Sequence, residues 1–182
     1  TKLNAGDKFN VVTFNESPTV MFEGLRKVDA ASRKKALDSV DSIESDGGTN
    51  INEALPRAIK LFQGTGSSRN YLIFLTDGLP TVGVTNSETI LTNVSAANKS
   101  HVKIFAFGVG YDVNTHLLDK LAEQSKGSTD YVRPSEDIEV KVSTFFAKVS
   151  DPILSDVEVK ISGVKTSDAF PSADIPDIFR GS

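Results

Sequence analysis

The sequence predicts an α/β fold in which a doubly wound, mostly parallel sheet carries helices on both faces. Two unbroken apolar runs, Asn70 to Thr76 and His101 to Gly110, are typical of buried parallel strands, because neither shows polar alternation. Segments with helical periodicity alternate with these strands along the chain. Since crossovers between parallel strands are right-handed, this alternation places helices on both sides of the sheet.

The first part of the chain predicts a hairpin followed by two helices. Lys8 to Phe14 and Thr19 to Phe22 are strands, and they should pair antiparallel because Asn15 to Pro18 is too short for a parallel crossover. Ala30 to Ile43 is helical and should lie on a sheet face, and Ile51 to Phe62 forms the next helix. The apolar residues of the first helix near helical spacing are Ala31, Ala36, Leu37, Val40 and Ile43.

The second part continues the alternation of helix and strand. Ser87 to Lys99 is a helix that Ser87 is expected to cap, and Asn114 caps a helix that runs through Gln124. Thr129 to Arg133 is a short strand, and Ile138 to Val149 is the last helix. Phe145 and Phe146 on that helix are expected in the core.

The sequence changes character near Asp151-Pro152. Asp156 to Ser162 alternates apolar and polar residues, as a strand with one buried face does. We expect residues 1–152 to form the α/β domain and residues 153–182 to begin a following β-type segment. Leu3 to Asp7 resembles the end of a helix with its terminating glycine, which indicates an element that began earlier.

Composition excludes several classes of function. The net charge is -4, and lysine and arginine form no long block, so a nucleic-acid partner is not expected. The chain has no cysteine, which excludes disulfides, thiolate metal sites and cysteine nucleophiles. No stretch approaches the roughly 18 apolar residues of a membrane span.

Asp77 is the first candidate for a functional residue. It follows the strand Asn70 to Thr76, and Gly78 and Pro80 then turn the chain and end the strand. Open α/β sheets bind their ligands beyond the carboxyl ends of such strands. Thr49 is the second candidate, although Thr49 and Asn50 both suit the cap of the following helix.

Two motifs together resemble the von Willebrand factor A domain, specifically the kind found in inter-alpha-trypsin inhibitor heavy chains and their bacterial relatives. They are Gly47-Gly-Thr-Asn-Ile-Asn52 and Leu75-Thr-Asp-Gly-Leu-Pro-Thr-Val-Gly83. The resemblance implies a Rossmann-like fold with a metal-ion-dependent adhesion site. That site combines an Asp-x-Ser-x-Ser motif after the first strand, a loop Thr, and the Asp of a Thr-Asp-Gly turn. Thr49 and Asp77 match the last two.

The resemblance implies a non-enzymatic adhesion module of a larger secreted or cell-surface protein. Mg²⁺, which prefers oxygen ligands, would join the domain to an acidic residue of a protein partner. The Asp-x-Ser-x-Ser motif does not occur in this sequence. The family's first strand and most of its first helix are therefore expected before Thr1.

In the family that first strand is central, between the strands at Lys8 to Phe14 and Asn70 to Thr76. Without it two strand edges are open, so they pair directly, receive a strand from another chain or from Val157 to Ile161, or receive the upstream segment. The chain made as written is expected to dimerise or exchange strands.

Two other functions stay open. The domain could be a metal-free scaffold that packs against neighbouring modules. Asp77 could also act as a phosphoryl-transfer nucleophile, but that chemistry needs a second carboxylate and a phosphate-positioning lysine, and no recognisable motif supplies them.

Overall fold

The computed structural model describes residues 3–44, 46–65, 69–149, 152–154, 157, 162–163 and 178–179. In chain order its elements are β1 (Lys8–Phe9), β2 (Val12–Phe14), β3 (Pro18–Val20), β4 (Arg26–Lys27), α1 (Ala30–Asp41), α2 (Ile51–Lys60), β5 (Tyr71–Thr76), α3 (Ser87–Ala97), β6 (Lys103–Val109), α4 (Thr115–Gln124), β7 (Thr129–Val132), α5 (Ile138–Val149), β8 (Pro152–Leu154) and β9 (Ile178–Phe179).

The centre of the fold is a parallel sheet of three strands in the order β5, β6, β7. Tyr71 pairs with Lys103 and Thr76 with Gly108, so β5 and β6 lie side by side over the whole length of β5. α3 connects β5 to β6 and α4 connects β6 to β7. The parallel strands predicted from the apolar runs are therefore confirmed.

Helices cover both faces of this sheet, as predicted. Leu72, Phe74, Ile104 and Ala106 point to one face and join a buried core with α2, α3 and α4. On the opposite face, the ring of Phe145 in α5 lies 4.8 Å from that of Phe105 and 5.1 Å from that of Phe107, measured between centroids. Phe145 and Phe146, which were predicted in the core, are both half-buried, and Phe145 packs against the sheet through these ring contacts.

Asparagine side chains begin three of the helices. Asn50, Asn86 and Asn114 each accept a hydrogen bond from the backbone N–H three residues later, at the starts of α2, α3 and α4. The cap predicted at Asn114 is confirmed. The cap predicted at Ser87 is wrong, because Asn86 caps α3 while the Ser87 hydroxyl accepts a hydrogen bond from Asn114 Nδ2 at 3.0 Å.

The strand predicted at Lys8 to Phe14 is interrupted. Asn10 lies between β1 and β2, and its side chain accepts hydrogen bonds from the N–H groups of Val11 and Phe22. The same side chain donates to the carbonyls of Phe22 and Gly24. Because these bonds replace the regular ladder, β1 pairs with β4 and β2 pairs with β3, both antiparallel. The antiparallel hairpin was predicted, but β4 was not.

β2 and β5 touch through one pair of side chains but no ladder joins them, and we refer to this unpaired junction as the cleft. Among the described residues, β2 pairs only with β3 and β5 only with β6. The Lys103 N–H donates to the Asn70 carbonyl, so Asn70 directs its backbone carbonyl to β6. In a parallel ladder only every second residue of a strand bonds to a given neighbour, so the backbone N–H and C=O groups of Ile73 and Leu75 point away from β6. One face of the cleft is bridged by stacked rings of Phe14 and Phe74, whose centroids are 5.7 Å apart. On the other face Leu75 is 40% exposed.

The prediction that the apolar residues of α1 lie on a sheet face is wrong. Leu37, Val40 and Ile43 are 53%, 45% and 51% exposed, and α1 ends at Asp41 rather than Ile43. The described part of the chain places no strand beneath them. A reciprocal capping box between Asp29 and Ser32 holds the start of this helix instead.

The end of the chain is described in part. β8 pairs antiparallel with β9. The strand predicted at Asp156 to Ser162 falls almost entirely outside the described residues, so the expected boundary at residue 152 stays a prediction. Among the described helices, none combines the length and apolar character needed to cross a membrane.

Gly127 provides a test of the packing between α4 and the sheet. A Cβ atom at this position would lie 1.8 Å from the carbonyl oxygen of Ile104, a fully buried residue of β6. Because backbone cannot yield to such a contact, we expect Gly127→Ala to lower the free energy of unfolding by at least about 3 kcal/mol. Urea denaturation followed by circular dichroism measures this change.

Gly24→Ala is the matched control, since no atom lies within 4 Å of its added Cβ. We expect it to change stability by less than about 0.5 kcal/mol. Equal effects of the two substitutions would contradict the packing described here.

Candidate functional site

Asp77 lies in the turn that follows β5, at the carboxyl edge of the sheet, and its side chain is exposed. The preceding Thr76 is buried, and its hydroxyl accepts a hydrogen bond from the Gly78 N–H at 3.4 Å. This bond fixes the turn. Within the described part of the chain, no hydrogen bond or ion pair engages the Asp77 carboxylate. Its oxygens face solvent and are available to a ligand.

Thr49 lies in the loop before α2, and backbone hydrogen bonds join this loop to the one after β5. The Thr49 N–H donates to Thr81 Oγ1 at 2.9 Å. The N–H groups of Thr81 and Val82 donate to the Thr49 carbonyl at 3.0 and 3.4 Å. Two loops that are separate in sequence are thereby held together at one edge of the sheet.

Two glycines allow this close approach. A Cβ at Gly48 would lie 2.2 Å from Cγ2 of Val82, so a larger residue there pushes the loops apart. A Cβ at Gly78 would lie 3.8 Å from the Thr49 hydroxyl, which places that hydroxyl beside the Asp77-Gly78 turn. The Thr49 hydroxyl thus lies beside the turn that contains Asp77, while the assignment of both residues to a metal site stays a prediction.

Asn50, the residue after Thr49, is buried and holds the loop through hydrogen bonds. Only 2% of this residue is exposed. Its N–H donates to the Asn15 carbonyl at 2.8 Å and its Nδ2 to the Glu16 carbonyl at 2.9 Å, while its Oδ1 caps α2. The sequence indicated Asn50 as a cap in competition with Thr49. The structure gives the cap to Asn50 and leaves the Thr49 side chain for another role.

Thr49 and Asp77 fit part of a magnesium site. A neutral hydroxyl oxygen and a carboxylate are the hard donors that Mg²⁺ prefers, but the ion requires about six oxygens. In the described part of the chain, no group of three or more His, Cys, Asp or Glu residues could hold a metal ion. These two residues therefore provide an incomplete set of ligands.

A second polar cluster, on β7 and α4, has a structural role. The hydroxyls of Thr129 and Tyr131 both donate to Oδ1 of Asp119, at 2.8 and 2.7 Å. Burial, and then the hydrogen bond to Asp119, raise the pKa of Tyr131. The phenol thus remains a protonated donor that joins the strand to the helix.

The sequence model of the von Willebrand factor type A domain matches residues 1–131. The chain belongs to the von Willebrand factor type A family. Curated relatives of this A domain are inter-alpha-trypsin inhibitor heavy chains, which confirms the resemblance seen in the motifs. Human heavy chain H4 is 32% identical over 85% of the chain, and pig heavy chain H2 is 29% identical over 99%. The chain spans 17% and 20% of the length of these two proteins.

Solved structures show the same fold. A von Willebrand factor type A structure from Catenulispora acidiphila superposes with a TM-score of 0.75 and 23% identity, covering 84% of this chain and 36% of that one. Proximal thread matrix protein 1 from the mussel byssus, with a zinc-occupied metal-ion-dependent adhesion motif, gives a TM-score of 0.57 and 23% identity. That comparison covers 75% of this chain and 33% of the mussel protein.

Gly48 tests whether the two loops must touch. Gly48→Ala places a Cβ against the Val82 side chain, and we expect it to lower the free energy of unfolding by about 1 to 3 kcal/mol. Because Val82→Ala removes the obstructing methyl groups, the double variant should recover most of that loss relative to Val82→Ala alone. Thermal and urea denaturation of the four proteins measure the coupling. Additive effects would show that the loops do not approach as described.

Proposed function

We propose that this A domain is a non-enzymatic protein-binding module whose metal-dependent site includes Thr49 and Asp77. The observation that carries the proposal is the juxtaposition of the Thr49 hydroxyl with the Asp77-Gly78 turn, with the Asp77 carboxylate directed to solvent. Membership of the A-domain family supports it. The zinc-occupied adhesion motif of the mussel protein is a further support for a divalent ion at this edge.

The remaining ligands are assigned to a strand that occupies the cleft between β2 and β5. The cleft borders β5, which ends at Asp77, and the loop of Thr49 contacts the loop that follows β5, so we propose that the carboxyl end of a strand parallel to β5 lies near both residues. An Asp-x-Ser-x-Ser motif at that point adds a carboxylate and two hydroxyls. As the family resemblance implies, its source is polypeptide upstream of Thr1 in the parent protein, and residues 1–152 are then most of one domain.

We propose that a helix following that strand covers apolar side chains that are exposed in the described part of the chain. Leu75 on β5 and the stripe Leu37, Val40 and Ile43 on α1 are the surfaces available to it. Burial of these side chains would contribute about 1.5 kcal/mol or more each. We therefore propose that a strand and the helix that follows it fill the cleft together.

The bound ion is proposed to be Mg²⁺, and the partner a protein that offers an acidic side chain. With hydroxyls as its main ligands, the ion keeps enough positive charge to attract one further carboxylate. The similarity to inter-alpha-trypsin inhibitor heavy chains supports a place outside the cell or on its surface.

A metal-free scaffold is the second candidate function. The exposed stripe on α1 is the observation that favours it, because such a stripe also suits packing against a neighbouring module. The two candidates differ in whether the complete domain takes up a divalent ion.

Calorimetric titration with MgCl₂ and MnCl₂ tests the proposal on the domain extended at its N-terminus with the residues encoded upstream of Thr1. We expect one site per domain, and Thr49→Ala or Asp77→Ala should weaken binding at least about tenfold, because removal of even an outer-shell partner has such an effect. Acetate mimics an acidic side chain, so it should displace a water ligand from the bound Mn²⁺. The relaxation rate of the water protons, which Mn²⁺ increases through its water ligands, should then fall.

Asp112→Asn is the matched control, since Asp112 is an exposed aspartate at the same edge, following the adjacent strand β6. It should leave the affinity unchanged. If the extended domain takes up no divalent ion, the scaffold function replaces the proposal. If it binds an ion that Thr49→Ala and Asp77→Ala do not weaken, the assigned ligands are wrong.

The cleft also predicts how the 182-residue chain behaves without the upstream segment. Its open strand edges are templates for pairing, so we expect dimers or larger species formed by strand exchange. Size-exclusion chromatography with light scattering measures the mass, and the extended domain, with its cleft filled, should be monomeric. A monomeric 182-residue chain would contradict this expectation.

A further inference from the structure

Exposed apolar side chains are grouped at the carboxyl edge of the sheet. In the described chain the exposed large apolar residues are Leu37, Val40, Ile43, Leu75, Leu79, Tyr111, Ile138 and Val140. The first four are on α1 and β5, where the proposed upstream strand and helix can cover them. Leu79 follows β5, Tyr111 follows β6, and Ile138 and Val140 are in the first turn of α5. We refer to these last four residues as the carboxyl-edge patch.

Hydrogen bonds fix the order of the elements along this edge. The Asn50 N–H donates to the Asn15 carbonyl, and the loop of Thr49 is bonded to the loop after β5. β5, β6 and β7 are then neighbours in the sheet. Lys141 Nζ donates to the Tyr131 carbonyl at 3.1 Å, which places the first turn of α5 beside the end of β7. The order is therefore the hairpin turn, the candidate metal site and then the carboxyl-edge patch.

The candidate metal site and the nearer part of the patch fit within one interface. Leu79 is two residues from Asp77, so their Cα atoms are at most about 8 Å apart. Thr76 pairs with Gly108, and chain length then limits the distance between the Cα atoms of Asp77 and Tyr111 to about 20 Å. A standard interface covers about 800 Å² on each partner, an area roughly 30 Å across. A protein that reaches the ion can therefore also cover Leu79 and Tyr111.

The grouping of these side chains gives them a role in binding. Single exposed apolar residues are normal on protein surfaces, whereas grouped ones mark interaction sites. Tyr111 is 82% exposed and Leu79 is 50% exposed. Tyrosine is among the residues that contribute most binding energy when a partner buries them. The carboxyl-edge patch is therefore suited to a large apolar side chain of the partner.

The surface on the other side of the candidate metal site is acidic. Glu16 in the hairpin turn and Asp46 in the loop of Thr49 are exposed, and a Cβ at Gly47 would lie 3.5 Å from Cγ of Glu16. In the described part of the chain, neither carboxylate makes a hydrogen bond or an ion pair. Neither of these two loops contains lysine or arginine. Their charges repel a second acidic residue of the partner and attract a basic one.

We propose that the partner binds through a segment whose metal-bound acidic residue has a large apolar neighbour on one side and a lysine or arginine on the other. The apolar neighbour packs against Leu79 and Tyr111, and the basic residue faces Glu16 and Asp46. A run of several acidic residues is thereby disfavoured. This inference rests on the proposed function, because the bound ion holds the acidic residue.

Surface plasmon resonance with immobilised peptides tests this inference on the N-terminally extended domain in MgCl₂. The probes are Gly-Lys-Asp-Phe-Gly, which has both neighbours, Gly-Lys-Asp-Gly-Gly, which lacks the apolar one, and Gly-Gly-Asp-Phe-Gly, which lacks the basic one. The first peptide should bind about tenfold more tightly than the second, because a buried aromatic anchor has an effect of this size. It should bind about threefold more tightly than the third, since exposed ion pairs contribute less.

Two double variants assign these preferences to the domain. Leu79→Ser with Tyr111→Ser should remove the preference for phenylalanine and leave the Mg²⁺ affinity, measured by calorimetry, unchanged. Glu16→Gln with Asp46→Asn should remove only the preference for lysine. Tyr111→Phe is the matched control, and it should behave like the parent domain because it keeps the ring. Denaturation curves check that the fold is unchanged.

The two measurements separate this inference from the proposed function. An extended domain that binds Mg²⁺ but binds the three peptides equally would overturn the inference and leave the proposed function in place. If the domain takes up no ion, both fail. Binding to phosphatidylcholine vesicles that the double serine variant abolishes would assign the patch to a lipid surface. Self-association that this variant abolishes would assign the patch to a second copy, and either result would overturn the inference.

Discussion

The structure depends on the hydrogen bonds of one buried asparagine. Asn50 caps α2 through Oδ1, and its two donors hold the carbonyls of Asn15 and Glu16 in the turn after β2. The loop after β5 closes over the same side chain, because a Cβ on Gly83 would lie 3.0 Å from Oδ1. Helix, hairpin and loop thus meet at one amide. Replacing this buried amide removes the partners of the Glu16 carbonyl and the Glu53 N–H, each at a cost of about 1 to 3 kcal/mol.

Local patterns predicted the elements that depend on local physics. Apolar runs identified β5 and β6, since strands covered on both faces show no alternation. Asparagine before an apolar stripe identified the start of α4. Apart from the cap of α3, which lies at Asn86 rather than Ser87, the failures involve distant partners. Asn10 interrupts a strand by bonding to Phe22 and Gly24 across the hairpin, and α1 has an apolar stripe although no described strand lies beneath it. A sequence pattern shows that a face is apolar, but not whether its partner is present.

The sequence predicted the two residues of the candidate site, Thr49 and Asp77, but it did not predict how their loops approach each other. The end of a buried strand and the resemblance of two motifs located Asp77 and Thr49. Their proximity depends on Gly48 meeting Val82, two residues far apart in sequence whose contact no spacing rule provides.

Nearly every buried side chain of the described residues lies between Asn50 and Val132; Ser32 is the exception. The hairpins and α1 are attached to this unit through Asn50 and the stacked rings of Phe14 and Phe74. The chain thus has a densely buried part and a part with few buried side chains, and regions with few buried apolar contacts open more easily. Asp77 belongs to the core, whereas Thr49 lies at the joint. The distance between their side-chain oxygens therefore depends on how the two parts are positioned relative to each other. An ion bound to both residues would hold the two parts together.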